Sequence, residues 1–204
     1  MIPFMIVKRG LDILVSLSVL VVLSPLLAVI AIVIKLESKG PVIFKQERAG
    51  KDGKPFIFYK FRTMKVGADP FGPSPKSRND KRLTKFGRIL REYSLDELPQ
   101  LLNILRGDMS MVGPRPLYLS QIAEWSEWQR KRLSVKPGVT GLAQISGRGA
   151  LTREQKLELD VKYVRTAGFF VDARILWLTI GHVVKRRGIY EKRYSRSEST
   201  RSVK

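Results

Sequence analysis

The sequence predicts an α+β fold, mostly helical, with a small β unit and an N-terminal membrane element. Three observations predict it. Residues 13–34 form a run of 22 without a charge, 18 of them apolar. Two short apolar runs joined by Gly50-Lys51-Asp52-Gly53 read as a β unit closed by a turn. Further on, apolar residues recur at helical spacing in several stretches, the mark of helices with one buried face.

Length and charge bound the rest. A chain of 204 residues is one domain, or one domain plus a membrane element. It has 38 Lys+Arg against 18 Asp+Glu, a formal net charge of +20. Such an excess calls for an anionic partner: nucleic acid, a membrane surface or a phosphorylated substrate. There is no cysteine and one histidine, His182. Disulfide scaffolds, Cys-ligated zinc, iron–sulfur clusters, thiol nucleophiles and multi-His metal sites are therefore excluded. A Ser-His-Asp triad could run only through His182.

Residues 13–34 would reach about 33 Å as a helix, the thickness of a bilayer core. A buried core helix is the plainer reading of an apolar run, but a chain of this size rarely hides a segment apolar on every face. A cleaved signal peptide does not fit, since the run is too long and no A-x-A site follows. Ser24-Pro25 interrupts the middle. Pro25 lacks a donor and clashes with the carbonyl of Val21, so a kink or break is expected there. Lys8 and Arg9 precede the segment, and Lys35, Lys39 and Lys45 follow it. Basic flanks favour the cytoplasmic face, so a re-entrant helix that turns at Ser24-Pro25 is placed ahead of a kinked span. Asp12 is expected to pair with Arg9 or another base.

The β unit comprises residues 41–44 and 55–59. Residues 66–81, with Gly67, Pro70, Gly72, Pro73 and Pro75, read as a long loop, of the kind that serves as a lid. Helices are expected over residues 94–105 (Leu95, Leu98, Leu102, Leu105), 118–133 (Ile122, Trp125, Trp128, Gln129) and 152–166 (Leu157, Leu159, Val161, Val164). Residues 169–184 are too polar for a second span, with Asp172, Arg174 and His182 inside, but suit a helix lying at a membrane interface. The Ser-, Lys- and Arg-rich tail is expected to be mobile. The chain thus divides into a membrane element (1–38), a domain with interfacial helices (39–188) and a basic tail (189–204).

Neither a GxxxxGK[ST] nor a GxGxxG phosphate loop occurs. The densest polar constellation is Ser94-Leu95-Asp96-Glu97. It fits a capping box, with Ser94 as N-cap and Glu97 three residues on. An Asp in a first helical turn feels the positive end of the dipole and stays ionised, and such a group can ligate magnesium or attack phosphorus. Neighbouring helical side chains diverge by about 100°, so Asp96 and Glu97 should have separate tasks. Stiff cations surround them in the sequence: Arg115 between Pro114 and Pro116, Arg148 in a Gly-rich turn, Lys60 and Arg62 at a strand end, and Arg91 five residues before Asp96. Each alone is an ordinary solvated turn or strand end. Together with the acidic pair and the membrane segment they suggest a site for a multiply charged phosphate substrate.

KRGLDI near the start, Ser24-Pro25, FKQERAG, FYKFRTM, SLDELPQLLNILRGDMSMVGPRP and KPGVTGLAQISGRG follow one another in that order. In these motifs the chain resembles the bacterial sugar transferases, the small monotopic phosphoglycosyl transferases, from about Lys8 to about Lys185. The resemblance is to the minimal catalytic unit, without the extra N-terminal membrane domain of larger relatives. It implies transfer of a sugar-1-phosphate from a UDP-sugar to polyprenyl phosphate, with release of UMP, at the cytoplasmic face of the bacterial inner membrane. It implies Asp96 as a nucleophile that forms a covalent phosphosugar intermediate, Mg2+ near Asp96, and Glu97 in metal or proton handling. It also implies that Arg91, Arg115 and Arg148 contact phosphate or nucleotide, and that the membrane helix is re-entrant at Ser24-Pro25. A homodimer is compatible with it, and the identity of the sugar is left open. Two rival readings come from other classes. A membrane-anchored nucleic-acid-binding protein would explain the charge, but the cations sit among Pro and Gly motifs and no nucleic-acid fingerprint occurs. An inactive scaffold is disfavoured by the intact Asp96-Glu97 pair.

Overall fold

The computed structural model describes residues 2–186 and 189–190; the expected basic tail falls almost wholly outside them. The apolar segment forms two helices, α1 (Ile2–Val22) and α2 (Ser24–Glu37), bent by 64° at the break between them. Among the described residues no single helix is long and apolar enough to cross a membrane, and only the bent pair taken together has that length and composition. The bend has a local cause. Pro25 cannot donate to the carbonyl of Val21, and the hydroxyl of Ser24 donates to it instead, at 2.8 Å.

Both legs of the pair are fastened to the same body. Lys8 pairs with Asp172 and donates to the carbonyl of Val112. Arg9 donates to the carbonyls of Ile104 and Leu105. Among the described residues Asp12 makes no ion pair with Arg9 or another base, contrary to expectation: its carboxylate accepts the backbone N–H of Met111 at 2.9 Å. Arg62, read from sequence as part of a solvated strand end, is buried. It donates to the carbonyls of Ser38 (2.7 Å), Lys39 (2.9 Å) and Ile34 (3.4 Å), tying the end of α2 and the two residues after it to the end of β2.

The β unit is an antiparallel hairpin of β1 (Ile43–Ala49) and β2 (Pro55–Phe61). Gly50 N–H closes it on the carbonyl of Lys54 at 2.8 Å, and Asp52 and Gly53 turn the chain through left-handed conformations. β1 runs further than the apolar residues suggested, because Gln46 is buried while Lys45 and Glu47 face out. A second, parallel pair was not expected: β3 (Ser110–Val112) beside β4 (Gly138–Thr140). There the backbones of Gly113 and Gly138 approach so closely that a Cβ on either would overlap the other strand.

Residues 66–81 contain neither helix nor strand. The helix after them, α3 (Lys85–Glu92), was not expected; Thr84 caps it by accepting Gly87 N–H at 2.9 Å. The helix expected over 94–105 is interrupted. A short 3-10 turn covers Leu95–Glu97, and α4 (Gln100–Arg106) begins only after Pro99. The helix expected over 118–133 is likewise broken. Trp125 is extended between 3-10 turns and the short α5 (Glu127–Arg130), which Ser126 caps. After α6 (Leu142–Ile145) come α7 (Arg153–Thr166), with Thr152 and Gln155 forming a capping box, and α8 (Phe169–Val184).

The core has three centres. Phe56, Phe58, Leu101, Ile104 and Met109 meet Val19 and Leu20 of α1. Ile30 and Ile34 of α2 meet Phe61 and Leu90. Val112, Tyr163 and Ile175 join β3, α7 and α8. The fold is thus α+β and mostly helical, with two small sheets. An apolar surface stays uncovered on α1, α2 and α8, including Leu14, Val21, Val29, Ile32, Phe170, Trp177 and Ile180.

Candidate active site

Asp96 and Glu97 lie in the 3-10 turn between α3 and α4, both buried, at 5% and 8% exposure. They are treated in opposite ways. Glu97 accepts both guanidinium nitrogens of Arg115, at 2.7 and 3.3 Å, and Arg148 stands 3.7 Å away. Burial alone would raise its pKa, but Arg115 and then Arg148 reverse that and hold the carboxyl down at about 2. For Asp96 burial prevails and pushes the pKa up, against the pull of Lys60, Arg91 and Arg148 and with a further push from Glu97. Its nearest cation, the Lys60 ammonium, is 4.0 Å away. Among the described residues no hydrogen bond occupies the Asp96 carboxylate.

The structure departs from the sequence expectation at two points. Ser94 is not an N-cap. It sits at φ 56 with its side chain making no cap hydrogen bond, and its hydroxyl accepts from Arg148 at 3.2 Å. Glu97 is drawn to Arg115 rather than back to the Ser94 backbone. Nor does a helix dipole govern Asp96: a single 3-10 turn carries little dipole, and burial acts the other way.

Lys60, at the end of β2, is a site residue whose role the sequence did not reveal. Burial first, and then the charge of Arg91, take its pKa down to about 8. Nothing in its spacing marks it, because the hairpin alone brings the end of β2 against the Leu95–Glu97 turn. Arg91, on α3, acts through its charge on both Asp96 and Lys60. Arg148 is half-buried in a left-handed conformation at φ 50, the kind of strain a surrounding structure must hold in place.

A pair outside this cluster supports it. Arg132 and Asp160 are buried, at 2% and 3%, and joined at 2.7 Å. Arg132 stacks on Trp125 and donates to the backbone carbonyl of Arg115 at 2.6 Å. The stiffness inferred from Pro114 and Pro116 is therefore reinforced from below. Ser24 and Pro25 stand apart from these groups, at the bend of the helix pair.

The donor set limits metal chemistry. Among the described residues no group of three or more His, Asp or Glu could hold an ion, and Glu97 is occupied by Arg115. Asp96 remains, and a single carboxylate completed by substrate phosphates is a common magnesium arrangement. The residues present fit that ion only with a phosphate ligand beside it.

A buried carboxylate without a hydrogen bond among the described residues, ringed by fixed cations, is an arrangement suited to a phosphate-bearing substrate. The chain belongs to the bacterial sugar transferase family, whose sequence pattern matches residues 4–186. It is 45% identical over 194 residues to a protein of Bacillus subtilis (strain 168) described as an uncharacterized sugar transferase, EpsL, with 95% of each chain covered. It is 45% identical over 184 residues to the UDP-glucose:undecaprenyl-phosphate glucose-1-phosphate transferase of Klebsiella pneumoniae, covering 86% of this chain and 40% of that one. A Caulobacter vibrioides protein of the same description is 40% identical over 195 residues, covering 90% and 72%.

Proposed function

We propose that the protein transfers a sugar-1-phosphate from a UDP-sugar to a polyprenyl phosphate such as undecaprenyl phosphate, releasing UMP and starting the assembly of a glycan. The observation that carries this reading is the contrast between the two carboxylates. Glu97 is locked in a fork with Arg115, whereas Asp96 has only the more distant Lys60 ammonium and no hydrogen bond among the described residues.

In the proposed step an Asp96 oxygen attacks the sugar-bearing phosphorus of the donor. A mixed carboxylic–phosphoric anhydride forms on Asp96, the bridging P–O bond breaks, and UMP leaves with the bond's electrons. An oxygen of the polyprenyl phosphate then attacks the same phosphorus and displaces Asp96, giving a polyprenyl diphosphosugar. Two anionic substrates thus need not meet at one moment. Lys60, Arg91 and Arg148 supply fixed positive charge around the transferring group. Glu97 holds Arg115 and Arg148 in place. Asp96, with the donor phosphates, would hold Mg2+, which when bound neutralises charge on the phosphoryl group.

The bent helix pair is assigned to the cytoplasmic face of the bacterial inner membrane, entering and leaving by one side. Three features support this. Both legs are tied to one body, through Lys8, Arg9 and Asp12 at one end and Arg62 at the other. The uncovered apolar residues of α1, α2 and α8 would face lipid, with α8 along the interface. The net charge of +20 suits an anionic surface.

The test is UMP release by the purified chain with magnesium, undecaprenyl phosphate and a panel of UDP-sugars, beside Asp96→Asn. The proposal requires UMP from at least one sugar and none from the folded variant. Full activity in the variant would remove Asp96 from its role. Silence with every sugar, in folded protein in lipid nanodiscs, would favour the scaffold reading.

A further inference from the structure

The geometry points to a nucleobase platform made by Phe71, Tyr118 and Arg48, on which the uracil of the donor stacks. The inference rests on the donor being a UDP-sugar.

Phe71 lies in the loop of residues 66–81 and is 71% exposed. Its backbone is nevertheless held. The carbonyl of Pro70 accepts from Gln46 Nε2 at 2.8 Å and from the Tyr118 hydroxyl at 3.1 Å. Phe71 N–H donates to Asp69 at 2.9 Å. The ring leans on Tyr118, with centroids 5.6 Å apart and planes at 46°. An aromatic ring fixed at its backbone and open on one side is what a flat ligand needs.

The second observation is Arg48. Its guanidinium lies 3.7 Å over the Tyr118 ring and 5.7 Å from that of Phe58. Its side-chain hydrogen bonds are with neutral groups, Gln46 Oε1 at 2.6 Å and Tyr118. Its Nε is buried and has no partner. Among the described residues it makes no ion pair with a carboxylate, and the charge of Arg115 acts on it. A cation sequestered without a counter-anion beside Arg115 is poised for an acceptor oxygen, such as a uracil carbonyl or a nucleotide phosphate.

Position agrees with this. Tyr118 lies three residues beyond Arg115, and three residues of extended chain reach roughly 10 Å. That is comparable with the span from base to terminal phosphate in a nucleoside diphosphate. With the phosphates among Arg115, Arg148 and Lys60, the base would reach the Phe71–Tyr118 edge.

The experiment uses the full chain in nanodiscs, with UMP as the probe. In an Asp96→Asn background, which separates binding from turnover, Phe71→Ala should weaken UMP binding about tenfold. Phe71→Leu should behave like Phe71→Ala. Phe71→Trp should bind within about twofold of the parent, with its indole emission quenched by UMP. In the active protein Phe71→Ala should raise KM for the UDP-sugar by a similar factor, with kcat and the KM for polyprenyl phosphate unchanged. An active wild type whose Phe71→Ala form keeps its UDP-sugar KM overturns the platform and leaves the reaction standing. A wild type that releases no UMP, yet binds UMP in a Phe71-dependent way, overturns the reaction and leaves the platform. If Phe71→Ala instead loosens retention on vesicles while UMP affinity holds, the ring serves the lipid surface and the platform is refuted.

Discussion

Replacing Lys60 by methionine should stabilise the protein and silence it. The ammonium is held at about 8 against an ordinary 10.5, chiefly by burial and then by the charge of Arg91. At about 1.4 kcal/mol per pH unit, keeping it charged at neutral pH costs folding about 3 kcal/mol. The sign fixes the pH window. Between about 8 and 10.5 the unfolded lysine still holds the proton that the folded one has shed, so wild-type stability should rise with pH across that interval. The methionine variant should show a smaller rise, since burial also holds Lys136 below its ordinary value, and should be up to about 3 kcal/mol more stable at pH 7, several degrees in Tm for a chain of this size. Activity moves the other way. Lys60 stands 4.0 Å from Asp96 and is the foremost group opposing the rise in its pKa. Its charge also faces the transferring phosphoryl group, and losing one such transition-state stabiliser typically costs about a hundredfold or more in kcat. The assay pairs thermal unfolding in detergent at pH 7 and pH 10 with UMP release. A variant that is clearly destabilised at pH 7, or that turns over like the wild type, would refute the reasoning.

Three further outcomes are expected. Asp160→Asn should cost about 3–5 kcal/mol by stranding the buried Arg132 charge, whereas the double change Arg132→Met with Asp160→Leu should recover much of that; thermal melts compare them, and UMP release reports whether Arg115 keeps its place. Glu97 is held near 2, below its ordinary 4.5, so the stability it contributes is present above about 4.5 and is lost as pH falls towards 2. Glu97→Gln should flatten that part of an acid-unfolding titration and lower activity at pH 7 by freeing Arg115 and Arg148. Gly87→Ala would drive a Cβ into the backbone carbonyl of Thr63. It should cost about 1–3 kcal/mol or more, read as a fall in Tm.

The sequence was most legible where one residue's chemistry decides the local geometry. Pro25 and Ser24 marked the bend, because a missing N–H and a spare hydroxyl act on one carbonyl, that of Val21. The helix expected from residue 152 does begin there, where Thr152 and Gln155 form a capping box that its apolar spacing did not reveal. The sequence was least legible where distant groups compete for one side chain. Ser94 and Glu97 have the spacing of a capping box, yet Arg148 and Arg115 take their oxygens, and the helix starts after Pro99 instead. The stretch from Tyr118 has helical spacing, but Trp125 is extended and lies beneath the buried Arg132. Asp12 was expected to need a base, and a backbone N–H from β3 satisfies it. The cations at the end of β2 looked alike as neighbours in sequence; one serves the acidic pair and the other closes α2. The parallel pair of β3 and β4 was invisible because strands of three residues have no period to detect.

The most direct test of the central claim is the intact mass of the protein after exposure to a UDP-sugar it accepts, with magnesium and without polyprenyl phosphate. The account predicts a species heavier by one phosphosugar, mapped to the peptide that contains Asp96, absent from Asp96→Asn, and discharged when polyprenyl phosphate is added. UMP release that occurs only when the lipid phosphate is present, with no adduct at any time, would contradict it and make the transfer a single displacement.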